Sequence, residues 1–125
     1  MMEPLLTIQA AMDRWIQRFA PDWVPEQTGM KRKMEPWRSL QEGGIPCLKG
    51  EAARQAFNRV EKKDAVYFRP GADPHDLAAE VFPCTDASVF ECMGDIYITD
   101  RSFSWTYVHT RYPWFGPYFV RFQKW

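Results

Sequence analysis

Net charge is the first thing this chain lacks. Sixteen Lys and Arg balance sixteen Asp and Glu over 125 residues, which removes charge as an argument for nucleic acid or an anionic membrane as partner. Apolar runs are short, and none approaches the roughly 20 residues that a helix needs to cross a bilayer. Glu3 and Pro4 interrupt the opening and Asp13 and Arg14 follow soon after, so no secretory leader is read there. Cysteine is scarce and odd in number: Cys47, Cys84 and Cys92 are irregularly spaced, unlike the even framework of a small secreted domain. A soluble, cytoplasmic protein with three unbridged thiols is expected.

Catalytic and metal signatures are missing as well. Cys47, Cys84, Cys92, His75 and His109 are the potential zinc ligands, but no C-x-x-C occurs and Cys84 and Cys92 stand eight apart, wider than the paired spacing of structural zinc sites. Neither metal nor cofactor is expected. Cys92 lies between Glu91 and Met93, and an adjacent carboxylate raises a thiol pKa, so a Cys–His nucleophile with His109 is disfavoured. The phosphate-cradling patterns GxxxxGK and GxGxxG are absent, and there is no internal repeat.

What the chain does have is aromatic density. Residues 95–125 hold 11 of its 20 aromatic side chains. The length fits one domain, residues 1–125. Residues 5–19 place Leu5, Ile8, Met12, Trp15, Ile16 and Phe19 on one helical stripe that Pro21 ends. Residues 20–50 are rich in Pro and Gly and read as irregular, with a turn of helix around Trp37–Gln41. A second helix is expected over Glu51–Lys62, with Gly50 before it, Glu51 at its positive end and Lys62 at its negative end. Ala65–Phe68 reads as a strand. Asp73 and Pro74 predict a third helix as N-cap and first helical residue, with Leu77, Ala78 and Val81 inward until Pro83.

From Ser88 onward the pattern becomes β. Asp95–Thr99 and Phe103–Thr110 form a hairpin closed at 100–102, the Arg111–Gly116 segment turns, and Pro117–Phe122 adds a strand. The fold class is α+β: about three helices on a small antiparallel sheet with a C-terminal meander. Alternation puts Phe103, Trp105, Tyr107 and His109 on one face, with Trp105 and Tyr107 expected against Trp15, Phe19, Phe57 and Val60.

The segments PCLKGEAARQAFNRV from Pro46, KKDAVYF, DIYITDRSFSWTYVHT and GPYF at Gly116–Phe119 resemble a bacterial family of domains of unknown function, number forty-two seventy-five in its series. The resemblance covers about residues 37–119. It implies a small α+β cytoplasmic bacterial protein and brings no catalytic residues. The RYPWF turn at 111–115 is richer in aromatics than the family suggests.

Two functional readings remain. Asp95 and His109 fall near each other across the hairpin, and a carboxylate-oriented imidazole is what a general base needs; this supports a small hydrolase or nucleic-acid-processing enzyme. A base-stacking platform would need aromatics interleaved with Lys and Arg, and residues 95–125 offer only Arg101, Arg111, Arg121 and Lys124, so nucleic acid is not expected. The preferred reading is a non-catalytic protein that binds a protein partner, of inhibitor or immunity type by analogy. Its candidate rim is His109, Arg111, Tyr112, Trp114 and Phe115 with Asp95, because loops on a rigid sheet concentrate binding residues and Trp, Tyr and Arg dominate interface hot spots. The basic run at 31–33, with Arg38 nearby, reads first as a solvated loop; its mixture with Met30, Met34 and Trp37 also fits an adaptable interaction patch.

Overall fold

The computed structural model describes residues 5–21, 36–41, 46–70, 73, 75–91, 93–112 and 114–121. The basic run at 31–33 with Met30 and Met34, Pro74, Cys92, Pro113 and Phe122 lie outside them. In chain order the elements are α1 (Ile8–Phe19), the single turn α2 (Arg38–Gln41), β1 (Leu48–Lys49), α3 (Glu51–Arg59), β2 (Ala65–Phe68), β3 (Ala79–Glu80), a 3-10 turn (Ala87–Phe90), β4 (Ile96–Asp100), β5 (Trp105–His109) and β6 (Tyr118–Arg121). The six strands form one antiparallel sheet in the order β1-β6-β5-β4-β2-β3. The fold is therefore α+β, with the expected meander of β4, β5 and β6 at its centre.

Antiparallel sheets commonly leave one face to water; this one does not. Val66, Phe68, Tyr97, Val108, Tyr118 and Val120 pack beneath the α1 stripe of Ile8, Met12, Trp15 and Phe19. Ala65, Ile96, Ile98, Trp105, Tyr107 and Phe119 pack beneath Ala53, Phe57 and Val60 of the α3 side. Trp105 and Tyr107 are buried as expected, but against Phe57 and Val60 alone. Trp15 and Phe19 lie on the opposite face, because alternation fixes which residues share a face and not which helix covers it. The threonines of that face are buried and saturated: the Trp15 indole donates to Thr106 Oγ1 at 2.9 Å, and Thr106 donates in turn to the Ile98 carbonyl at 2.7 Å.

Phe103 does not share the face of Trp105. Its φ of +56° lies in the left-handed region that L-residues avoid, and this turns its ring to the α1 layer. There the Arg14 guanidinium sits 4.7 Å over the ring. The hairpin bend is organised by Asp100, whose carboxylate accepts from Ser102 Oγ at 2.8 Å, Ser104 N at 2.7 Å, Trp105 N at 3.2 Å and the Ser104 hydroxyl.

The helix expected after Asp73 is not formed. Asp73 makes its local turn, accepting from His75 N at 2.9 Å, but the backbone beyond it is taken by long-range partners. Ile8 N donates to Asp76 O, Ala78 N to Leu6 O and Val81 N to Ala65 O. Residues 77–81 are thus held between the 5–8 segment and β2, Leu77 faces solvent and Ala78 and Val81 stay inside. The second helix stops three residues early. Val60 turns extended, and the Lys62 ammonium curls back over the Phe57 ring at 4.5 Å to cap the carbonyls of Asn58 and Val60.

Candidate functional site

One end of the sheet, where β4 begins and β5 ends, carries the aromatic rim. Trp37, in the bend before α2, is completely buried and forms its base. Tyr112, Phe115 and Tyr118 stand around it with ring centroids at 6.1, 5.8 and 6.2 Å. Trp114 is outermost: it touches Tyr112 at 5.7 Å and Phe115 at 6.0 Å, yet 70% of its surface is open. Two guanidiniums lie against the cluster. Arg38 is 5.1 Å from the Trp37 ring and 5.7 Å from that of Phe115, and Arg111 is 5.2 Å from that of Tyr112. Cations over ring faces are attracted by the ring quadrupole.

The turn is fixed from within. Buried Thr110 places its hydroxyl at 3.0 Å from the Tyr112 carbonyl and 2.5 Å from that of Phe115, and Phe115 N donates to Tyr112 O. Gly116 has φ +76°, and a Cβ there would meet the Tyr118 ring at 3.0 Å, so only glycine suits the corner.

Asp95 and His109 are both at this end, but they do not pair. Asp95 Oδ1 accepts from Arg111 N at 2.7 Å and Oδ2 from the Trp37 indole at 3.2 Å. His109 Nδ1 is 2.8 Å from the Gly94 carbonyl, so that nitrogen carries the proton and donates. The register explains the separation. Ile96 is the residue opposite His109, and both lie on the α3 face, whereas Asp95 reaches Trp37 on the α1 face. Asp95 therefore ties the α2 segment to the 111–116 turn instead of orienting an imidazole.

Of the six residues expected at the rim, Tyr112, Trp114, Phe115 and Arg111 form one cluster, Asp95 braces it, and His109 stands on the other face. Trp37 at its base and Arg38 over it were read only as part of a loop patch. They lie some 60 positions before Asp95, and no local signal joins the two. Elsewhere, Cys47 and Cys84 are free thiols, and burial pushes the Cys47 thiol up, against a smaller lowering by Lys49. Among the described residues no three His, Cys, Asp or Glu side chains gather as metal ligands, and no helix is long and apolar enough to cross a membrane.

The family model described as Domain of unknown function (DUF4275) matches residues 36–119. The chain belongs to that family, and the match takes in the whole rim from Trp37 to Tyr118. No curated protein and no solved structure matches it.

Proposed function

We propose that this chain is a non-catalytic binding protein that engages a protein partner through the rim, with Trp114 as the anchor. The carrying observation is the contrast within one turn: Tyr112 and Phe115 fold back over Trp37, while Trp114 remains 70% exposed on their outer side. A large indole on a pre-formed support loses little conformational freedom on association, and such residues dominate interface energies. The separate engagement of Asp95 and His109 counts against the general-base reading. The free thiols of Cys47 and Cys84 fit a reducing compartment, the cytoplasm, and an inhibitor or immunity role is compatible with a non-catalytic rim.

A photoreactive benzoylphenylalanine at position 114, irradiated in the native host, should give a discrete adduct with one protein. That protein, purified, should bind the Trp114→Ser chain at least tenfold more weakly than the native chain, with the melting temperature unchanged. Equal affinity of the two chains, or no discrete adduct, would remove the rim from binding. Phe115 is unsuitable for this test because its ring packs on Trp37.

A further inference from the structure

A groove of about 650 Å³ opens at the other end of β4 and β5, on the α3 face. It is separate from the rim: five-residue strands stand between them, roughly 15 Å of extended chain. Its size is within the range of small-ligand sites. Val60, Ala65, Val81 and Trp105 line it, and all four are buried, so its floor is apolar.

The polar lining sorts into groups already engaged and groups that are not. Arg101 and Glu80 pair at 3.4 Å. Asp100 is saturated by the hairpin bend. Glu61, Lys63, Asp64 and Arg121 also line the groove and are exposed, and no side-chain hydrogen bond or ion pair joins them to other described residues. That leaves two cations and two carboxylates around an apolar floor. Trp105 completes the floor and is only 3% exposed.

We propose that this groove binds a small zwitterion with an apolar body, of amino-acid or short-peptide chemistry. The body lies on Val60, Val81 and Trp105. The carboxylate takes Lys63 and Arg121, and the ammonium takes Glu61 and Asp64. A simple anion would leave the two carboxylates opposing it, and a simple cation would leave Lys63 and Arg121 opposing it; a zwitterion satisfies both signs.

The test uses the native, isotope-labelled chain with leucyl-phenylalanine as probe, following the Trp105 indole N–H resonance, which is identified by its loss in Trp105→Phe. A saturable shift at up to millimolar probe is expected. The N-acetylated, C-amidated dipeptide should bind at least tenfold more weakly, and Arg121→Glu and Lys63→Glu should each weaken the free dipeptide several-fold. Free phenylalanine distinguishes the source: affinity equal to that of the dipeptide assigns the groove to amino acids, and weaker binding assigns it to peptides. No saturable shift with either probe, or equal binding of the blocked dipeptide, overturns the proposal. The blocked-peptide comparison needs only the native chain and decides the matter even where a variant folds poorly.

Discussion

Tyr107 is fully buried beneath α3, with its ring stacked on Phe57 at 4.6 Å, and its hydroxyl has no hydrogen-bond partner among the described residues. Burying an unsatisfied hydroxyl costs about 1–3 kcal/mol. Tyr107→Phe should therefore leave stability unchanged or raise it by about 1 kcal/mol, read as a shift in the denaturation midpoint; a loss of 2 kcal/mol would show that the hydroxyl is bonded. The same phenol governs alkaline behaviour. Burial pushes its pKa far up, with a smaller lowering from Arg54, and burial raises Tyr118 as well. An unfolded phenol ionises near pH 10, so above that pH the unfolded state holds fewer protons and stability falls by about 1.4 kcal/mol per pH unit for each such group. Lys62 acts with the opposite sign: burial lowers its pKa, and between that lowered value and its unfolded value stability rises with pH. The steep alkaline loss should thus appear above the lysine window and be visibly shallower in Tyr107→Phe.

At the scale of elements, α3 depends on the corner that launches it. Gly50 has φ +63° and ψ −133°, a conformation essentially closed to residues with a Cβ, and its N–H donates to Pro117 O at 2.9 Å. Gly50→Ala meets no steric obstacle, yet it should cost about 1–3 kcal/mol through backbone strain alone; an unchanged melting temperature would refute that strain. Elements built from their own residues were legible in the sequence. The α1 stripe, the Gly50 start of α3, β2 and the β4–β5 hairpin all follow from periodicity and turn chemistry. Elements decided by distant partners were not. Asp73 carries a sound capping signal, but residues 76–81 satisfy their backbone through Leu6, Ile8 and Ala65, and fewer than ten residues make a marginal helix in any case. β1, two residues long, exists only because β6 pairs with it. At the rim, the aromatic turn between two strands was readable. The buried base at Trp37 was not, and a small error of register put Asp95 beside His109 when alternation sends them to opposite faces.

For the molecule as a whole, the sheet is strongest at its centre and tapers to both edges. β4 and β5 are flanked by partners on both sides and covered on both faces, whereas β1 and β3 are two-residue strands at the borders. Native-state hydrogen exchange should find the β4 and β5 amides opening only with global unfolding and those of β1 and β3 opening far more readily; uniform protection across the sheet would contradict this gradient. The strand order also sets a timetable. Leu48 and Lys49 bond to Phe119 and Tyr118, about 70 residues later in the chain, and at roughly 5–20 residues per second of synthesis that is a wait of several seconds. During translation, one border of the sheet is made early and completed among the last, so a ribosome paused anywhere between α3 and β6 holds a nascent chain whose Leu48 strand has nothing to pair with.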